Sequence, residues 1–297
     1  MKRITAFGEI LFDVYPGMKT LGGAPFNFIY HIKKLSGEGK FISSVGDDDL
    51  GKEVLNFIRL STISTDYVLI DNKHTTGVAN ANLDENKVPH WEIKTNCAYD
   101  FIKANDNIIN LVEKETDCLY FGSLAQRNNV SRNTLNILFS KKIKYFCDLN
   151  LRQDFYNSDI IKTSLHNANI LKLNNDELKV VNNLLFKQNY DEVKLVELIS
   201  SEYNIELVCV TLGDRGAILF KNGITDYCKN QVENVIDTVG AGDAYSSILC
   251  LGYLYEWDIL KINKIASEFA AEIIQIKGAL PKDERIYEIF KDKIKNK

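Results

Sequence analysis

Apolar and polar positions follow two rhythms along this chain, and the change from one to the other divides it. Residues 3–15 read as a strand, interrupted or bent near Gly8, with Glu9 and Asp13 breaking its apolar run. A helix opens after Leu21-Gly22-Gly23-Ala24-Pro25-Phe26-Asn27 and carries Phe28, Ile29, Ile32 and Leu35 on one side. Past the turn at Gly37-Glu38-Gly39, residues 41–46 form a short strand. Asp47 to Asp49 then supply a cap and first-turn acids for a helix with Leu50, Val54 and Ile58 inward; three aspartates together could also hold a metal. Residues 66–100 change character. Runs at 67–70, 76–83 and 88–93 are strand-like, with turn residues and no helix between them, and such a small sheet needs something to lie on. From about residue 105 strand and helix alternate. Strands are expected at 118–123, 143–148, 170–173, 206–212 and 217–220, and helices at 131–142 and near 191–203, 243–256, 260–277 and 284–295. That alternation predicts a mostly parallel sheet covered on both faces.

Composition narrows the picture. A chain of 297 residues, 45% hydrophobic and 26% charged, suits one globular α/β domain over 1–297 with a sizeable core. The net charge of −4 offers no basic field for nucleic acid. Six cysteines are scattered without a C-x-x-C pair, several in apolar runs, so they read as small core residues of a reduced cytoplasmic protein. No apolar run approaches a membrane span, and no signal peptide is expected. No G-x-G-x-x-G turn follows the first strand, no Walker A string or G-x-S-x-G elbow occurs, and the histidines share no metal-ligand spacing.

The candidate chemistry centres on Asp237-Thr238-Val239-Gly240-Ala241-Gly242-Asp243, followed by an apolar run to Trp257. It reads as a tight loop feeding a buried helix. The first turn of a helix has unpaired N–H groups and a partial positive charge, and small residues let an anion approach them. Gly240, Ala241 and Gly242 form a phosphate cradle in this reading. Asp243, kept ionised by the helix end, is the base for an attacking hydroxyl. A capped turn is the structural alternative.

Other polar clusters sit at strand ends, where open α/β sheets bind ligands. Asn27 offers a donor and acceptors at its helix start. Asp148-Leu149-Asn150-Leu151-Arg152 follows a buried strand; Arg152 suits a phosphate or a substrate group, or a structural ion pair with Asp148. Asn174 to Glu177 has the spacing of a helix capping box.

Taken together these strings resemble the ribokinase or PfkB-type sugar kinases. The quoted segments are Gly-Gly-Ala-Pro-x-Asn and Val-Gly-x-Asp-x-x-Gly within 22–51, Asp-x-Asn-x-Arg at 148–152, Asn-x-x-Glu at 174–177, Thr-Leu-Gly-x-x-Gly at 211–216 and Asp-Thr-x-Gly-Ala-Gly-Asp at 237–243. The Gly-Gly-Ala-Pro segment is most similar to fructokinases, and Asp-x-Asn-x-Arg is shared with 2-keto-3-deoxygluconate kinases. The resemblance implies a ribokinase-like three-layer α/β fold with a β lid from about 9–20 and 67–100. It implies transfer of the γ-phosphoryl group of ATP to a sugar hydroxyl, fructose first, with 2-keto-3-deoxygluconate, ribose or a nucleoside as alternatives. A sugar sensor on a retired kinase fold is the non-enzymatic alternative. Asp13, Gly22, Gly23, Asn27, Tyr99 and Arg152 would then face the sugar, and Asn174, Thr211, Gly213, Gly216, Gly240 and Gly242 the nucleotide. The resemblance further implies Mg²⁺ held by Glu177 through water and K⁺ beside Asp237. The open edges of the lid sheet suit a homodimer.

Overall fold

The computed structural model describes residues 1–83, 89–229 and 234–295. Among them the strands are, in chain order, β1 Ile4–Phe7, β2 Leu11–Tyr15, β3 Met18–Gly22, β4 Lys40–Gly46, β5 Val68–Asp71, β6 Gly77–Leu83, β7 Pro89–Ile93, β8 Cys118–Phe121, β9 Lys144–Asp148, β10 Ile170–Asn174, β11 Leu207–Thr211, β12 Ala217–Lys221 and β13 Ile224–Cys228. A nine-stranded sheet runs β13-β12-β11-β10-β9-β8-β1-β4-β5, and a four-stranded sheet runs β3-β2-β6-β7. From β5 to β11 every pairing in the large sheet is parallel; β12 and β13 close it as antiparallel strands. This is a ribokinase-like α/β fold with a smaller antiparallel-rich sheet beside the main one.

The strands of the large sheet are apolar on both faces because helices cover both. Successive residues point to opposite sides, so Cys118 and Tyr120 join one core while Leu119 and Phe121 join the other. The helices Ala24–Ser36, Asp49–Leu60, Ala241–Leu254, Ile259–Ile273 and Arg285–Lys295 bury their apolar stripes in the first core. Those at Asp106–Glu115, Asn129–Leu138, Ser158–Asn167, Asn175–Val181 and Glu192–Tyr203 fill the second. The six cysteines are all unpaired, and five are buried. No helix among the described residues is long and apolar enough to cross a membrane.

The first predicted strand is really two. Gly8, at φ +147°, ends β1, and three residues later β2 begins in the other sheet. The chain thus passes from the large sheet into the lid sheet through Gly8-Glu9-Ile10.

The lid differs from the expectation drawn from residues 9–20 and 67–100. Its strands are β2, β3, β6 and β7, whereas β5 pairs in parallel with β4 as the edge of the large sheet. Val68 is buried while Ile70, on the same face, is exposed, so this edge strand is only partly covered and lacks the continuous apolar run of a central strand. Val88, expected in the last of these runs, lies outside the described residues. Ala98–Phe101 is a short 3₁₀ turn, and β13 was not anticipated.

Candidate active site

Among the described residues, seven helices begin on an Asp or Asn whose side chain accepts a first-turn N–H: Asp48, Asn105, Asn128, Asn157, Asn174, Asp191 and Asp258. Two others begin on glycine, at Gly23 and Gly240, with no side-chain cap. Both uncapped starts line one cavity of about 470 Å³ at the carboxyl ends of the parallel strands. In the Gly240-led helix Ala241 N donates back to Thr238 O at 3.4 Å, while the N–H groups of Gly242 and Asp243 have no side-chain cap and suit an anion; in the Gly23-led helix Pro25 contributes no N–H at all. Gly240 has φ +81°, and a Cβ there would lie 2.3 Å from the Ala279 Cβ, so the turn into the second helix requires glycine.

Asp243 sits in the first turn of that second helix and lines the cavity. Asn27 Nδ2 donates to its Oδ2 at 2.8 Å. Burial raises the Asp243 carboxyl to about 6; the Asn27 bond, Lys172 and Arg152 pull it back, and Asp148 pushes it further up. The sequence reading expected the helix end to keep this group ionised. The dominant influence is instead loss of water, which leaves the group near the working pH of a base. Asn27 lines the cavity too; besides donating to the Asp243 carboxylate it keeps a buried Oδ1 with no hydrogen-bond partner.

Beneath the second helix lies a buried ion pair that sequence reasoning missed. Lys172 and Asp148 are register partners on β10 and β9, and Lys172 Nζ donates to both Asp148 oxygens at 2.8 and 3.0 Å. Tyr120 Oη and Ser246 Oγ donate to the same carboxylate at 3.0 and 2.7 Å. A Cβ on Gly242 would lie 3.3 Å from Lys172 Nζ, so the ammonium rests against the glycine turn. The only signal in the sequence was a lysine inside the apolar run Ile170-Leu171-Lys172-Leu173, a charge that a buried strand tolerates only when paired. The structural ion pair between Asp148 and Arg152 does not form. Arg152 is exposed, lines the cavity and makes no ion pair among the described residues.

At the lid end, Glu9, Leu11, Asp13 and Tyr15 all line the cavity. Alternate residues of an extended chain share a face, which accounts for the set. Burial raises Asp13 to about 6, against the pull of Arg152. A Cβ at Gly22 would lie 2.8 Å from Asp13 Oδ2, so that glycine leaves room for the carboxylate. Gly23 lines the cavity as expected. Tyr99 does not. It is fully buried, and its hydroxyl accepts from Arg127 Nη2 at 2.8 Å. The apolar contacts of the 3₁₀ turn hold its ring in the core, and the expectation that it faces the substrate is corrected.

At the other end, Asn174 and Thr211 line the cavity from the ends of β10 and β11. Gly213 and Gly216 lie in the following turn and do not line it. Gly216 is needed for packing, because a Cβ would meet Cys228 O at 1.9 Å. Glu177 lines the cavity while completing a capping box: its Oε2 accepts from Asn174 N and its Oε1 from Leu151 N, both at 2.8 Å. Each oxygen keeps a lone pair, so the group fits an outer-sphere contact to hydrated Mg²⁺. No cluster of three or more candidate ligands occurs among the described residues. Asp237 lies outside the cavity wall. Its oxygens accept from Val239 N at 3.0 Å and Gly278 N at 2.9 Å, strapping the glycine loop to the 278 turn.

The site thus joins a carboxylate of raised pKa, an uncapped helix start and a buried ammonium, groups whose chemistry suits moving a phosphoryl group onto a hydroxyl. Residues 9–285 match the family described as pfkB family carbohydrate kinase. A sugar kinase of Pyrococcus horikoshii is 30% identical over 281 residues, covering 91% of this chain and 84% of the relative. A crystal structure of that protein, uncharacterized by its description, superposes with a TM-score of 0.83 at 26% identity over 99% of both chains; another is a complex with ATP, at a TM-score of 0.79, 24% identity and 98% and 99% coverage. A fructokinase of Vibrio alginolyticus is 25% identical over 273 residues, 86% of each chain. A Vibrio cholerae fructokinase with fructose, ADP and potassium bound shares the fold, with a TM-score of 0.79 at 22% identity over 98% of both chains. The chain belongs to the pfkB family of carbohydrate kinases.

Proposed function

We propose that this carbohydrate kinase transfers the γ-phosphoryl group of ATP to a hydroxyl of fructose, with Asp243 as the general base. The observation that carries the reading is the Asn27–Asp243 pair at the meeting of the two uncapped helices. It aims a carboxylate with its pKa near 6 at the point where a hydroxyl from the lid end meets an anion on the Gly240–Gly242 turn. Asp243 takes the hydroxyl proton. Backbone N–H groups of the turn and the Lys172 ammonium stabilise charge on the moving phosphoryl group. Asn174 and Thr211 would contact the nucleotide. Mg²⁺, when bound, neutralises phosphate charge, and Glu177 would orient its water shell. Asp237 is the residue for K⁺, whose binding would brace the glycine loop.

A neutral sugar is favoured because Asp13 and Asp243 face the sugar end, where a carboxylate substrate would meet like charges. The fructokinase relatives support fructose among neutral sugars. A second reading, 2-keto-3-deoxygluconate, rests on Arg152, a guanidinium on the cavity wall that could pair with an acid.

The test is ADP release with Mg²⁺ and ATP across fructose, 2-keto-3-deoxygluconate, ribose and adenosine, with K⁺ present and absent. Turnover on fructose and little on the acid is the expected result. Preference for the acid would overturn the choice of sugar. Asp243→Asn should lower kcat by at least about 100-fold while the fold persists; an active, folded variant would remove Asp243 from the mechanism.

A further inference from the structure

Glu9 stands on the three-residue passage between the two sheets, and nothing in the reaction so far uses it. Its residue is 2% exposed, it lines the cavity, and its Oε2 has no hydrogen-bond partner. The extended chain puts it on the same side as Leu11, Asp13 and Tyr15, the lid-side wall of the sugar end. An unpartnered buried carboxylate oxygen is costly, and one facing a ligand cavity is relieved by the ligand.

We propose that Glu9 is a specificity-determining residue of this kinase, a carboxylic acid that retains its proton and donates a hydrogen bond to an oxygen of the bound sugar. The inference rests on the reading above that the lid end takes the sugar. A protonated carboxyl supplies one donor, and an ionised one accepts only. The distinction matters here because Asp13 and Asp243 already offer acceptors to the sugar hydroxyls, while a carbonyl or ring oxygen needs a donor.

The surroundings favour the neutral form. Burial raises the Glu9 carboxyl to about 7, and Asp243 adds to the rise, while Arg152, Arg127 and the Glu9 backbone oppose it. These groups come from separate elements: Asp243 from the glycine-led helix, Arg152 from the segment after β9 and Arg127 from the segment after β8. Asp13 lies on β2, the strand that Glu9 leads into. The neutral hydroxyls of Tyr99 and Tyr120 also lie within its field. Excluding the remaining water by seating a sugar should push Glu9 further toward its protonated form.

The experiment compares wild type, Glu9→Gln and Glu9→Ala from pH 6 to 9, reading KM for the sugar, KM for ATP and kcat separately. Wild-type sugar KM should rise above about pH 7, by on the order of tenfold per unit once Glu9 is ionised, while ATP KM stays level. Glu9→Gln retains a donor and cannot ionise. It should keep a sugar KM within about threefold of wild type at pH 6.5 and lose the alkaline rise. Glu9→Ala should raise sugar KM at every pH. A Gln variant with the wild-type alkaline rise, or a flat wild-type profile, would overturn the assignment of Glu9 alone. Absence of turnover on every sugar would overturn it together with the reading of the lid end as a sugar site.

Discussion

Opposing influences meet at Asp243. Burial and Asp148 favour its neutral form, and Asn27, Lys172 and Arg152 favour its charge. In the proposed role of base Asp243 works ionised, so kcat/KM should fall as pH drops through about 6. Lys172→Met removes a cation and leaves Asp148 as an unpaired negative charge nearby. Both changes raise the Asp243 pKa, so the acid limb should move to higher pH. An unmoved limb in a folded variant would show that Lys172 acts on packing alone. Breaking this buried pair is also expected to destabilise the fold by about 3–5 kcal/mol, so Lys172→Arg, which keeps the charge, is the companion variant and should retain the wild-type limb. Asp243, Asn27 and Asp13 were legible in the sequence because glycines and fixed spacing surround them. Lys172 and Glu9 were not. One looked like an ordinary interruption of a strand, because its partner Asp148 lies on the neighbouring strand, and the other like a break in an apolar run, because the cavity it lines is assembled from distant parts of the chain. Tyr99 was misread for the converse reason: a polar-tipped aromatic near a lid is consumed by the core through Arg127, which lies 28 residues away along the chain.

Helices were easier to read than strand pairings. The 3.6-residue stripe of Phe28, Ile29, Ile32 and Leu35 located its helix, and all four are buried. Pairing partners carry no comparable local signal, which is why β5 was placed in the wrong sheet. One helix contact carries its own pH dependence. His31 lies fully buried beside the C-terminal helix, with Nδ1 2.9 Å from Tyr287 Oη. Burial lowers its pKa from 6.5 to about 3. Below about pH 6.5 the unfolded chain therefore binds a proton that the native one refuses, and this contribution to stability declines until pH approaches about 3. His31→Gln abolishes the effect. In urea unfolding, the stability of wild type relative to His31→Gln should drop by about 2 kcal/mol between pH 6.5 and 5. An unchanged difference would mean that His31 is protonated in the native core. Gly240→Ala tests the glycine turn in the same way: its Cβ collides with Ala279, so lower turnover and lower stability are expected together.

On the scale of the whole molecule, contacts beyond the chain connections tie the lid to the rest of the protein, among them the Lys19–Glu53 ion pair and the hydrogen bonds of Arg127 and Gln153. Arg127 grips the exit of the lid by donating to Asp100 and to Lys94 O, at distances of 2.7–2.8 Å. Gln153, one residue after Arg152, donates through Nε2 to Trp91 O on β7 at 2.7 Å. Gln153→Ala should loosen the lid over the sugar without unfolding the core. A rise of a few-fold in sugar KM is expected, with little change in melting temperature and faster amide exchange in Ala79–Ala81 and Trp91–Ile93. Unchanged exchange in these strands would mean the Gln153 bond does not hold the lid.

The three raised carboxyl groups sharing the lid end of the cavity have a thermodynamic consequence. Near pH 7 a fraction of Glu9, Asp13 and Asp243 molecules carries a proton, and a sugar that displaces water from them increases that fraction. Sugar binding should then draw protons from the solution. The heat measured on mixing would differ between buffers of unlike ionisation enthalpy, even at equal affinity, and its slope against that enthalpy would count the protons taken up.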